Sequence, residues 1–323
     1  MNTAHAAPRD VREVLIVVKE TKYGRAVDSS DKRMLALIGD EDPSTRDDMR
    51  EHREHTKCLR RVKRYFASRA IATTVVSVRD LPKRITQQLV VSVGGDGTFL
   101  TAASRCIDAP IIGIRSTGLS LGHFALVNTE TFAGVIDEIL AGKRLPHSLM
   151  RLSVKLRSVV IEGGHVRHRE RVIRRPVLND VLVTNNKCAT ARYILNVDGT
   201  EERQDSSGLW IGTPSGSTAA LRSSGGKPLK IEARSIEYVV RELQVRPGVS
   251  PKLFRGVIDG AKELSVVSRM PKGKLYLDGE FNEFPFRTGD CVTISRHRHE
   301  LRAFIDPEVN SRYPYFFGIY APW

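Results

Sequence analysis

Up to about residue 145, apolar residues fall in short β-branched runs divided by longer mixed stretches. Val14-Leu15-Ile16-Val17-Val18 is continuous, as expected of a strand buried on both faces. Thr74 to Val78, Leu89 to Val93 and Ile111 to Ile114 read the same way. After the first strand comes a charged stretch in which Cys58, Leu59, Val62, Tyr65 and Phe66 share one helical face. Ser44 or Thr45 would cap that helix, which should reach about Ser68. A helix-like run separates the last two strands, and another covers Glu130 to Leu140 and stops at Gly142. Strands alternating with helices predict an α/β domain with a parallel, Rossmann-like sheet covered on both faces.

From about Met150 the texture changes. Alternating stretches recur at Arg151 to Val160, Leu178 to Thr184, Tyr193 to Val197, Leu209 to Thr213, Leu264 to Ser268, Lys274 to Leu277 and Cys291 to Ser295. Gly163-Gly164, Asp198-Gly199 and Asp278-Gly279 are hairpin signals between them. The second domain should be all-β and mostly antiparallel. Lys143 to His147 marks the boundary, giving a first domain of residues 1–146 and a second from 147.

A chain of 323 residues and 36.1 kDa has room for two domains. With 41% hydrophobic and 27% charged residues, disorder and a disulfide scaffold are excluded. No apolar run reaches the roughly 20 residues of a membrane-spanning helix, and no apolar signal core precedes Glu13. The chain closes on Ala321-Pro322-Trp323 rather than on a peroxisomal tripeptide. Cys58, Cys106, Cys188 and Cys291 lie far apart with no paired spacing, which predicts reduced thiols and a cytoplasmic location.

Charge changes the picture. Lys and Arg number 51 against 37 Asp and Glu, a net +14, and the pI is near 9.8. Such a surface draws polyanions: nucleic acid, anionic lipid or phosphate-rich small molecules. The arginines recur at 46–69, 167–175 and 296–302 rather than in one tail, and the middle run should be an exposed hairpin. His52-x-x-His55, His165-x-x-His168 and His297-Arg298-His299 complete no zinc ligand set and sit among arginines that repel a cation. Six aromatic residues between Tyr313 and Trp323 predict a tail packed on a domain or a partner subunit.

The strongest chemical signal is Gly94-Gly95-Asp96-Gly97-Thr98, placed where a buried strand gives way to a helix. Glycines there allow positive φ and close approach of a ligand to the backbone. Successive amide groups with a helix N-terminus behind them form an anion nest suited to phosphate. Asp96, a carboxylate beside that nest, would accept a proton from an attacking hydroxyl or help organise a metal-bound phosphate. A Walker A sequence is absent, and a dinucleotide fingerprint fails because Leu100 holds the third glycine position. A second cluster, Gly208 to Ala220 with Ser223-Ser224-Gly225-Gly226, is rich in small residues and hydroxyls, fit for a ring or sugar lying against backbone. A third piece is the polar pair Asn179-Asp180 at the start of a strand pattern.

In this order the GGDGT loop, the Asn-Asp pair and Thr213-Pro214-Ser215-Gly216-Ser217-Thr218-Ala219 resemble the NAD kinase family. Leu277-Asp278-Gly279 and Gly122-His123-Phe124 are similar to further family elements. The resemblance runs from about residue 14 to 305. Ser206-Ser207-Gly208, Gly216 to Ala220 and Leu243-Gln244-Val245-Arg246-Pro247-Gly248 look most like the plant-type NADH kinase branch. It implies an α/β domain with the phosphate loop, a β-rich dinucleotide-binding domain over 147–290, and a segment 291–323 returning toward the first domain.

The resemblance implies ATP-dependent phosphorylation of the adenosine-ribose 2′-hydroxyl of NAD(H), giving NADP(H). By the same resemblance Asp96 activates the hydroxyl, and Gly94, Gly95, Gly97 and Thr98 bind phosphates. Asn179, Asp180, Thr218, Ala219 and Ser223 would hold NAD(H). Mg²⁺ with ATP, no nucleic acid or membrane partner, and a homodimer or larger homo-oligomer complete the expectation. No direct protein ligand to the metal is assigned. Two departures stand out: Ser206-Ser207-Gly208 replaces a Gly-Asp-Gly, and Ala220 replaces an aromatic residue. Losing a carboxylate removes attraction for a cationic nicotinamide ring, so NADH should be accepted at least as well as NAD⁺. Two alternatives remain: a lipid or sphingoid-base kinase, which shares the loop but wants an apolar channel, and a basic nucleic-acid-binding protein with a structural glycine loop.

Overall fold

The computed structural model describes residues 10–186, 189–245, 247–248 and 250–312. Cys188, Arg246 and the aromatic tail from Tyr313 lie outside them. The chain forms two compact units, Met1–Ser148 with Leu301–Asp306, and Leu149–Glu300 with Pro307–Trp323. Of the described part of the expected closing segment, residues 301–306 go with the first unit, and 291–300 and 307–312 with the second.

In the first unit a seven-stranded sheet runs in the order Ala72–Ser77, Glu13–Val18, Leu89–Gly94, Ile111–Arg115, Leu301–Phe304, His147–Leu149, with Val127–Asn128 also paired to Ile111–Arg115. The first five of these pair in parallel. Val14 to Val17 and all of Leu89–Gly94 are buried, which is why these strands carry no polar alternation. The long helix Arg46–Ala67 starts after Thr45, with Asp47 and Asp48 in its first turn facing the helix dipole. Thr45 makes no side-chain cap bond; its hydroxyl donates instead to the Leu37 and Asp42 carbonyls. The helix buries Cys58, Val62, Tyr65 and Phe66 on the sheet side. The helix expected from Glu130 begins only at Phe132, because the Asn128 side chain accepts from the amides of Glu130 and Thr131 and turns the chain there.

The second unit consists of two six-stranded sheets in which every neighbouring pair of strands is antiparallel, and one buried cluster draws side chains from both. Alternation from Leu152 to Leu156 and along Ala191–Val197 sends every second residue into that cluster. Each of the three hairpin signals joins two strands with positive φ at both turn residues, for example +53° at Asp198 and +79° at Gly199. His165–Val172, Thr200–Ser206, Arg255–Asp259 and Glu283–Phe286 escape the sequence pattern. All four are edge strands, and an edge strand needs no apolar alternation. His165–Val172 is exposed at every position, so the arginine run does form the exposed arm of a hairpin. Cys58, Cys106 and Cys291 are reduced thiols. None of the described helices is long and apolar enough to cross a membrane.

His55 gives the first unit an acid-sensitive point. The ring lies on the buried face of the long helix, with Nδ1 3.0 Å from the Ser116 hydroxyl. Burial, then the neighbouring Lys19 charge, lowers its pKa from 6.5 to about 4. The folded protein therefore binds this proton less readily than the unfolded chain does. Stability is intact above pH 6.5 and falls as pH drops toward 4, by up to about 3 kcal/mol. Urea midpoints at pH 7.5 and 4.5 should show that loss, and His55→Asn should flatten it; an unchanged acid slope in the variant contradicts the assignment.

Candidate active site

The strand Leu89–Gly94 ends at the sheet's carboxyl edge, and the helix Asp96–Ala103 begins after a single extended residue, Gly95. The glycines of this loop do not need positive φ, contrary to the expectation; packing demands them instead. A Cβ on Gly94 would come within 2.8 Å of Thr98 Cβ and 3.0 Å of Lys19 Cβ, and one on Gly95 within 2.6 Å of Ser120 Oγ. Gly97 meets nothing within 4 Å, is exposed, and so leaves bare backbone open at the helix start. Thr98 is buried against Gly94. Asp96 sits in the first helical turn, half-buried, and its Oδ1 accepts the Phe124 amide at 2.9 Å. Phe124 in turn stacks on Phe99 of the same helix, with ring centroids 5.0 Å apart. The Gly-His-Phe element thereby fixes the carboxylate by one oxygen. Oδ2 has no hydrogen-bond partner among the described residues.

The second unit builds a polar site around the Asn179-Asp180 pair, where the strand Asp180–Asn185 begins. The hydroxyl-rich segment packs directly on this pair. Thr213 donates its amide to Asn179 O at 2.9 Å and its hydroxyl to Leu178 O. A Cβ on Gly216 would sit 2.9 Å from Asn179 Cα, so only glycine fits there. Ser217 donates to Pro214 O and accepts the Leu229 amide. Much of the small-residue character therefore serves close packing. Thr218 and Ala219 are half-buried, and Ser223 ends a four-residue helix on the exposed side. Asn179 Oδ1 is buried with no hydrogen-bond partner. An acceptor in that state costs free energy unless something donates to it.

Asp180 lies beside Asp278, whose carboxylate accepts the amides of Leu178, Asn179 and Asp180 at 2.8, 2.7 and 3.2 Å. Burial, with the Asp278 charge added, pushes the Asp180 acid well above the usual carboxylate range. Burial raises Asp278 too, against the three amides and the charge of Arg151. Arg151 is wholly buried and donates to the His299 and Glu300 carbonyls. The sequence reading missed Arg151 and a further acid, Glu237. Glu237 accepts the Lys227 amide, and its own burial raises its pKa to about 7. The available signal was a lone acid inside the apolar run Ile236 to Val240. Ser206, at the departure from Gly-Asp-Gly, is spent on structure: its hydroxyl lies 3.1 Å from Tyr193 Oη and bridges both ends of Gly208. Ser207 is exposed.

Residues 14–144 match the model of the ATP-NAD kinase N-terminal domain. A probable NADH kinase of Oryza sativa subsp. japonica is 28% identical over 278 residues, covering 78% of this chain and 82% of the relative. A 31% identity over 225 residues links the chain to the NAD kinase of Pseudomonas aeruginosa strain LESB58, covering 66% of this chain and 69% of the relative. Two solved structures share the fold. An NAD kinase from Archaeoglobus fulgidus in complex with ATP has a TM-score of 0.63 at 16% identity, over 93% of this chain and 96% of that one. Yeast NADH kinase complexed with NADH has a TM-score of 0.62 at 15% identity, over 94% and 86%. The chain belongs to the NAD kinase family. It is an enzyme, a kinase that phosphorylates NAD(H). None of these matches is a lipid or sphingoid-base kinase.

The glycine packing separates two kinds of substitution. Gly94→Ala should cost about 1–3 kcal/mol of stability, because Thr98 and Lys19 must move. Gly97→Ala should melt within a few degrees of wild type, since its Cβ meets nothing. Thermal melts decide; equal losses at both positions contradict this account of the loop.

Proposed function

We propose that Asp96 is the general base, taking the proton of the adenosine-ribose 2′-hydroxyl as the γ-phosphoryl group of ATP is transferred to that oxygen. The supporting observation is a carboxylate locked by one oxygen to Phe124 N–H and unpartnered at the other, beside open backbone at Gly97. Gly94, Gly95, Gly97 and Thr98 would hold phosphates at the helix start, where amide groups and the helix dipole favour negative charge. Phosphoryl transfer needs positioning and charge stabilisation more than covalent chemistry, which suits this loop. Among the described residues no group of three or more His, Cys, Asp or Glu forms a metal site. Mg²⁺ in this reading arrives with ATP and is held by phosphate oxygens and water. When bound, the ion offsets charge on the phosphates.

The dinucleotide, in this reading, is held by Asn179 and Asp180, with Thr218, Ala219 and Ser223 lining the same pocket. The buried, unsatisfied Asn179 Oδ1 supports it, since a ribose hydroxyl would complete that acceptor. Ser207 supports the acceptance of NADH: a carboxylate there would attract a cationic nicotinamide by at most about 4 kcal/mol at 4 Å, and less at an exposed position. Relatives named as NADH kinases point the same way. The family resemblance adds a homodimer or larger homo-oligomer, and the widely spaced cysteines a cytoplasmic location.

Asp96→Asn should fold normally and lose 10²–10⁴-fold in kcat, about 3–5 kcal/mol of barrier. Near-normal turnover contradicts the base assignment. Comparing kcat/KM for the two nicotinamide forms should show NADH at least equal to NAD⁺, and a strong preference for NAD⁺ would remove the Ser207 argument.

A further inference from the structure

Asp278 occupies the first position of the turn between the strands Gly273–Leu277 and Glu283–Phe286, with φ at +50°. An aspartate in such a turn ordinarily bonds an amide two residues on. This one reaches about a hundred positions back along the chain. Oδ2 accepts from Leu178 N, while Oδ1 accepts from Asn179 N and Asp180 N. The Asp278 amide donates to Asp180 O at 3.0 Å, closing the bracket from the other side. Three consecutive amides converging on one carboxylate make a nest, and the nest fixes the backbone from which both binding side chains project.

We propose that Asp278 is the positioning residue of the dinucleotide site, setting the direction of the Asn179 and Asp180 side chains through the amides it gathers. This rests on the reading that Asn179 and Asp180 bind the dinucleotide. The arrangement also decides which of two adjacent acids, Asp180 buried and Asp278 half-buried, carries charge. Two carboxylates side by side do not both ionise readily. Asp278 has three amide donors, and Arg151 is the cation acting on it. Asp180 receives no such support, and the charge acting on it is that of Asp278. The anion resides on Asp278 and the proton on Asp180. A protonated Asp180 donates a hydrogen bond to a ribose oxygen or a base nitrogen, where a carboxylate only accepts.

The experiment is KM for NAD(H), KM for ATP and kcat between pH 6 and 9.5 in the full chain. Wild-type KM for NAD(H) should rise at the alkaline end as Asp180 loses its proton. Asp278→Asn should raise KM for NAD(H) about tenfold at neutral pH, leave KM for ATP unchanged, and move the alkaline rise about one pH unit lower, because the like charge is gone. Asp180→Asn, a permanently neutral donor, should flatten the rise. Asp180→Ala tests the underlying reading: an unchanged KM for NAD(H) there defeats the binding role itself. A raised KM in Asp180→Ala with wild-type behaviour in Asp278→Asn overturns the positioning role alone. Should Asp278→Asn fail to fold, the wild type and Asp180→Asn still decide, and a pH-independent wild-type KM overturns the proposal.

Discussion

A strand buried on both faces has nowhere to go. Leu89–Gly94 is buried at all six positions and is hydrogen-bonded in parallel on each side, so a slip would break the ladders to both neighbours at once. Everything chemical in the first unit hangs from where that strand stops. Gly94 lets Thr98 fold back against it, Gly95 makes the turn, and the helix that follows must start at Asp96. The carboxylate is delivered by the sheet rather than by a free loop, and the Phe124 amide removes its remaining rotational freedom on one side. The proposed base, held this way, needs little reorganisation when substrate arrives.

The second unit meets a different constraint with comparable economy. It buries Asp180 beside the half-buried Asp278, together with an arginine and, elsewhere, a glutamate. Buried charge is tolerable only when paired and hydrogen-bonded. Asp278 satisfies that condition through backbone amides, and Arg151 through the His299 and Glu300 carbonyls. Asn179 carries no charge, but its buried amide oxygen has no hydrogen-bond partner. An unsatisfied acceptor surrounded by satisfied ones is where a ligand's hydroxyl gains most.

How much of this the sequence shows depends on what each residue answers to. The parallel sheet was legible because continuous β-branched runs have no other common use, and the hairpins because Gly-Gly and Asp-Gly bend the chain by their own backbone preferences. Thr200–Ser206 and Arg255–Asp259 were not, since edge strands can be polar throughout. Asp96, Asn179 and Asp180 stood out as polar residues where glycines and strand starts made them conspicuous. The work of Asp278 did not, because a hairpin turn explains an aspartate fully until the distant amides of Leu178 to Asp180 are seen beside it. The glycine loop was found for a partly mistaken reason: Gly94 and Gly95 are required by Thr98 and Ser120, not by their own φ. Steric demands made by distant neighbours leave no local trace in composition.

The central claim is that this chain transfers the terminal phosphoryl group of ATP to one hydroxyl of a dinucleotide. Incubation with Mg-ATP and either NAD⁺ or NADH, followed by phosphorus NMR of the product, reads both the transfer and its position. The account predicts a new monoester resonance on the adenosine ribose at the 2′-oxygen, with one ADP formed per product. ADP without a phosphorylated dinucleotide, or phosphate on any other hydroxyl, would contradict it.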